Sequence, residues 1–115
     1  RLPRTEDFYW KHEFSAVLTD IEHHFHDKKL SEMSQELNYS ERQISRIVSR
    51  ATGDNFSHLI LRLRMERAAR LLQEKMTPDE VSASVGYTSL SSFYRAFTAW
   101  YGKTPAEFRR TVDLC

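Results

Sequence analysis

The sequence predicts an all-α fold of seven helices, and three observations carry that expectation. Apolar residues recur at intervals of three and four along most of the chain, the period of amphipathic helices, and no stretch alternates convincingly as a strand would. Helix-start signals also recur: Ser40 with Gln43, Thr77-Pro78 with Glu80, Ser89, and Thr104-Pro105 with Glu107. Finally, the chain repeats itself. Met33-Ser34-Gln35-Glu36-Leu37-Asn38-Tyr39 returns as Val81-Ser82-Ala83-Ser84-Val85-Gly86-Tyr87. After one inserted residue, Ser40…Ile44-Ser45-Arg46…Val48 returns as Ser89…Phe93-Tyr94-Arg95…Phe97. Each copy reads as a short helix, a tight turn and a second helix opened by a Ser N-cap: a helix-turn-helix.

Residues 1–12 contain Pro3, lack a clean period and read as a linker or lead-in arm. Phe14, Leu18, Ile21 and Phe25 then form one apolar stripe of a helix ending near His26-Asp27. Leu30, Met33 and Leu37 make a short second helix whose start at Lys28-Lys29 lacks a good cap. The third helix, about 40–52, is opened by the capping box of Ser40 and Gln43, buries Ile44, Ile47, Val48 and Ala51, and closes at Gly53. Asn55 caps a fourth, whose apolar positions run from Phe56 through Leu59, Ile60, Leu63, Ala68, Leu71 and Leu72 to about Glu74. At ~1.5 Å per residue that helix is roughly 28 Å long. Thr77-Pro78 opens a fifth, burying Val81 and Val85 and ending at Gly86. Ser89 caps a sixth, about 89–101, with Phe93, Phe97 and Tyr101 inward and Gly102 at its end. Thr104-Pro105 opens a short seventh through Phe108 and Arg110. The expected organisation is a first lobe over about 13–54, a linker helix over about 55–75 and a second lobe over about 76–112.

With 115 residues, 40% hydrophobic content, seven Phe, five Tyr and two Trp, the chain can bury a core and is not disordered. No apolar run approaches the ~18 residues of a membrane span. Arg1 rather than Met opens the sequence, so we expect a fragment of a longer chain. Cys115 is the single cysteine and cannot form an internal disulfide, which fits the reducing cytoplasm. Net charge is only +1, but it is segregated. From Ser40 to Arg70 seven arginines stand against Glu41, Asp54 and Glu66, whereas residues 1–39 hold five basic and eight acidic residues. An acidic front therefore precedes a basic middle.

Projection at 100° per residue puts Arg42, Ser45, Arg46 and Ser49 opposite the apolar face of the third helix, with Arg50 at its edge. Arg matches guanine O6 and N7 with two parallel hydrogen bonds, so such a face carries sequence information. A solvated helix kept soluble by its arginines is the plainer reading; the repeat weighs against it. In the sixth helix Ser91, Tyr94, Arg95 and Thr98 project outward, and Leu90 at its start can meet a thymine methyl. Leu90 and Tyr94 fit packing within the lobe equally well. His23, His24 and His26, with His12 nearby, invite a metal reading. No Cys, Asp or Glu array completes a site, and solvated histidines at a helix end are the simpler explanation. No catalytic constellation, cofactor motif or Gly-rich phosphate loop stands out, and no aromatic platform for RNA is visible.

The run Val81-Ser82-Ala83-Ser84-Val85-Gly86-Tyr87-Thr88-Ser89-Leu90-Ser91-Ser92-Phe93-Tyr94-Arg95-Ala96-Phe97, then Tyr101-Gly102-Lys103-Thr104-Pro105 and Phe108-Arg109, resembles the signature of the AraC/XylS family of bacterial transcription regulators. Upstream, Leu59-Ile60…Arg64-Met65…Ala68…Leu71-Leu72 is similar to that family's linker-helix motif, and the likeness covers about residues 14–110. The resemblance implies two helix-turn-helix lobes whose recognition helices enter successive major grooves of promoter DNA, segments ~34 Å apart. By matching position, base reading falls on Arg42, Ser45 and Arg46, then on Leu90, Ser91, Tyr94 and Arg95. It also implies a missing N-terminal sensing and dimerising domain, and RNA polymerase as a further partner.

The chain departs from the family pattern in two ways. Ser34 and Ser82 stand where the family has Ala, tolerable because a hydroxyl can bond to the preceding turn's carbonyl. Val48-Ser49 and Phe97-Thr98 replace Phe-Lys, removing two phosphate-binding lysines and favouring dependence on a second copy or partner domain. The alternative to DNA binding is a helical protein-interaction module presenting its Arg faces to acidic partners; near-neutral net charge is its best support.

Overall fold

The computed structural model describes residues 5–113, with side chains over 15–111. Among the described residues there are seven helices and no strand: α1 (Thr5–His24), α2 (Leu30–Leu37), α3 (Glu41–Thr52), α4 (Phe56–Gln73), α5 (Pro78–Ser84), α6 (Leu90–Tyr101) and α7 (Pro105–Asp113). The all-α expectation holds. One boundary moves: residues 5–12 continue α1 instead of forming an arm. Phe8-Tyr9-Trp10 are consecutive, so this stretch shows no apolar period to reveal the helix. Residues 1–4 of the expected arm, and the side chains of His12, Phe14 and Cys115, lie outside the described residues.

The chain divides into two compact units, Arg1–Ile60 and Leu61–Cys115. The division falls inside α4, the helix expected to join the two lobes. Leu59 is buried in the first unit, while Met65, Ala68 and Leu72 are buried in the second.

In the first unit α3 packs on α1 and α2. Its core contains Val17, Ile21, Phe25, Met33, Ile44, Ile47 and Val48. Val17 joins the α1 stripe, and Leu18 is only half-buried. Ala51, expected inward, is exposed: it lies on the inward arc of α3, but in its last turn, beyond the buried Ile44, Ile47 and Val48. The start of α2 is better made than its sequence suggests, because the Lys29 amide donates to the Glu32 carboxylate at 3.3 Å. Lys28, in the turn between α1 and α2, bridges the two helices, with Nζ bonded to Asp20 Oδ1 at 3.2 Å and to the Glu36 carboxylate. Ser34 does not bond back along its own helix. Its hydroxyl donates forward to the Tyr39 carbonyl at 2.6 Å, closing the turn into α3.

The second core joins Met65, Ala68 and Leu72 of α4 to Val81, Val85, Phe93 and Phe97, with Tyr101, Trp100 and Phe108 packed around it. α5 and α7 both pack on α6. The Phe97 ring lies 4.7 Å from that of Tyr101 and meets Phe108 edge-on at 5.5 Å, spacings at which aromatic pairs attract. α4 ends in a Schellman motif: Met76 N–H bonds Leu71 O at 3.2 Å and Lys75 N–H bonds Leu72 O at 3.1 Å. Lys75 occupies the left-handed position at φ 68°, where glycine is the usual occupant. Its carbonyl accepts a hydrogen bond from Arg109 at 3.1 Å.

Candidate nucleic-acid interface

The sequence repeat becomes a repeat of local geometry. Each turn passes through a left-handed residue, Asn38 at φ 59° in the first copy and Gly86 at φ 97° in the second. Asn tolerates that region because its short polar side chain can bond locally. Each following helix is opened by a serine. The Ser40 hydroxyl accepts from Gln43 N–H at 3.1 Å, and the Ser89 hydroxyl from Ser92 N–H at 3.1 Å. In the first copy the box is reciprocal, since Ser40 N–H donates to Gln43 Oε1 at 2.8 Å. Each helix is closed by a left-handed glycine: Gly53 N–H bonds Ser49 O at 2.9 Å, and Gly102 N–H bonds Thr98 O at 2.8 Å. Two twelve-residue helices, α3 and α6, thus begin and end alike.

Burial divides α3 into an anchored face and an outward one. Ile44, Ile47 and Val48 are inside, while Arg42, Arg46, Ser49 and Arg50 are exposed and Ser45 is half-buried. Arg42, Arg46 and Arg50 follow at four-residue intervals, so they lie along one ridge. Ser49 is partly committed elsewhere, donating to the Asp54 carbonyl at 3.3 Å. On α6, Phe93 and Phe97 are inside, while Leu90, Ser91, Arg95 and Thr98 are exposed.

Tyr94 differs from the rest: it is half-buried and packed against the second core, its ring edge-on to Phe93 at 6.4 Å. Leu90 goes the other way, at 40% exposure, and is not among the residues packed against the second core. Apart from Tyr94, the candidate residues of each helix face outward, and those of α3 and α6 belong to different units.

No carboxylate among the described residues pairs with Arg42, Arg46 or Arg95. Among the described residues, three guanidiniums are thus exposed without a carboxylate partner, two on α3 and one on α6. The structure adds one basic contact that the sequence reading lacked. Arg64 of α4 lies 5.3 Å from the centre of the Tyr87 ring, holding the turn that precedes α6 by a cation–π contact. Its sequence signal was the Arg64-Met65 pair in the linker motif, read there as resemblance only. His24 and His26 approach Asp27 at 3.2 and 3.8 Å, and no group of three or more metal-ligating side chains assembles among the described residues.

A family model described as a helix-turn-helix domain matches residues 33–111. The Msm operon regulatory protein of Streptococcus mutans is 31% identical over 86 residues, covering 74% of this chain and 31% of that protein. The transcriptional activator FapR of Escherichia coli is 35% identical over 81 residues, covering 70% of this chain and 31% of that protein. The chain therefore spans about a third of the length of these relatives. Among solved structures, the C-terminal domain of AraT, a response regulator from Geobacillus stearothermophilus, superposes with a TM-score of 0.79 at 33% identity, covering 85% of this chain and 84% of that one. With the doubled helix-turn-helix and its matched caps, these likenesses establish that the chain belongs to the AraC/XylS family of helix-turn-helix transcription regulators.

Proposed function

We propose that this chain is the DNA-binding part of a longer regulator and that α3 and α6 each place their outward face in a major groove of promoter DNA. The observation that carries this reading is the pairing of matched helices with unpaired guanidiniums: Arg42 and Arg46 on one, Arg95 on the other. An exposed Arg without an internal carboxylate keeps its full fork of donors for an external acceptor. Arg50, Ser45, Ser49, Ser91 and Thr98 supplement these as sugar, phosphate or base contacts, and Tyr94 stiffens the face from behind. Successive grooves for the two helices, a sensing and dimerising domain, contact with RNA polymerase and a cytoplasmic setting all belong to this proposal.

Net charge of +1 favours modest affinity for a single copy and a shallow salt dependence. Anisotropy titrations on a promoter duplex and a scrambled one, between 50 and 200 mM salt (roughly the span over which phosphate contacts dominate), test the reading. Preference for the promoter at every salt concentration supports it. Equal binding to both duplexes, with retention on an acidic protein surface instead, favours the interaction-module alternative.

A further inference from the structure

The outward faces of α3 and α6 differ in chemistry. The first presents Arg42 and Arg46 with no exposed large apolar side chain. The second pairs a single guanidinium, Arg95, with Leu90, which is the one exposed large hydrophobic residue among those described, at 40%. Tyr94 packs on the core, while Ser91 and Arg95, four apart, follow one another along the outward face beside Leu90. One apolar side chain and a polar, cationic ridge therefore lie next to each other at the start of that helix.

These faces select different base-pair edges. In the major groove guanine offers two acceptors to a guanidinium fork, and thymine alone offers a methyl group. Resting on the DNA-binding reading above, we infer that the operator is chemically asymmetric. The segment read by α3 carries two guanines, matched to Arg42 and Arg46. The segment read by α6 carries one guanine matched to Arg95 and a thymine whose methyl packs on Leu90. Ser91, one residue from Leu90, is too short to replace that contact. A thymine methyl packed on the exposed leucine removes apolar surface of both from water, which supplies the favourable term.

The test uses the chain itself on a randomised duplex library, with wild type, Arg46→Ala, Arg95→Ala and Leu90→Ala selected in parallel. Each arginine variant is expected to lose one guanine position and Leu90→Ala one thymine position, the others staying enriched. The recovered duplex is then remade with uracil in place of that thymine. Wild type should bind it about fourfold more weakly, the effect of losing one buried methyl at ~0.8 kcal/mol, and Leu90→Ala should not distinguish the two. Replacing the Arg46-matched guanine by 7-deazaguanine should weaken wild type by roughly 5- to 150-fold at most, the range of a full bidentate contact. Enrichment of a motif whose guanine and thymine positions ignore these substitutions overturns the inference while leaving DNA reading intact. Enrichment of no motif by wild type overturns both.

Discussion

Tyr101, the last residue of α6, donates its hydroxyl to the backbone carbonyl of Met65 in α4 at 3.0 Å. One side chain thus fastens the far end of α6 to α4. Burial pushes the Tyr101 phenol above its ordinary pKa, and nearby Glu66 adds to the shift. The protonated form is the one the fold prefers. Its contribution is complete below about pH 10, the unfolded value, and is lost as pH rises through the higher folded pKa. Tyr101→Phe should lower stability by about 1 kcal/mol at pH 7, the usual worth of one such bond. Its alkaline loss of stability should also be smaller than wild type's. Urea titrations at pH 7 and above pH 10 read both effects.

Lys75 holds a left-handed conformation at φ 68° in the Schellman turn after α4. The functional part of that residue is its backbone, since its amide bonds Leu72 O and its carbonyl accepts from Arg109. Lys75→Gly keeps both bonds and removes the Cβ strain. It should raise stability by roughly 0.5–1 kcal/mol in chemical denaturation, net of the extra freedom glycine gives the unfolded chain. A loss of stability would mean that the Lys75 side chain contributes more than its backbone strain costs.

Lys28 is the clamp of the first unit, its ammonium held between Asp20 and Glu36 with a side-chain exposure of 13%. The hydrogen bond to Glu36 is the largest influence on its pKa and raises it above the ordinary lysine value; burial opposes this and Asp20 reinforces it. The clamp is therefore complete below the unfolded lysine pKa and lost as pH rises through the raised folded value. Asp20 Oδ2 is already buried without a hydrogen-bond partner among the described residues. Lys28→Met leaves that carboxylate with neither oxygen paired, a costly state for a buried charge. The melting temperature should fall for Lys28→Met and stay close to wild type for the exposed neighbour Lys29→Met. Equal small shifts in both variants would contradict the clamp.

Helices α3 and α6 were legible in the sequence because their signals are local. Ser40, Ser89, Gly53 and Gly102 each act within one turn of chain, and the apolar intervals of Ile44-Ile47-Val48 and Phe93-Phe97 fix which face is buried. The start of α1 was not legible, since Phe8-Tyr9-Trp10 are consecutive and give no stripe. The clamp at Lys28 and the Tyr101 bond to Met65 link residues eight and 36 apart. Such pairings depend on how helices pack, which no single window contains. Ala51 shows the opposite error: the helical projection is right, but a face is buried only where another element reaches it. Within the site, exposure separated Leu90 from Tyr94, which the projection alone had left equivalent.

The most direct measurement is the affinity of wild type, Arg46→Ala and Arg95→Ala for one promoter duplex and its scrambled counterpart at fixed salt. If both α3 and α6 read bases, each variant loses about 1–3 kcal/mol of preference for the promoter while binding the scrambled duplex nearly as wild type does. If Arg95→Ala keeps the full wild-type preference, Arg95 reads no base and the two-helix account, which rests on a base-reading guanidinium on each helix, is wrong.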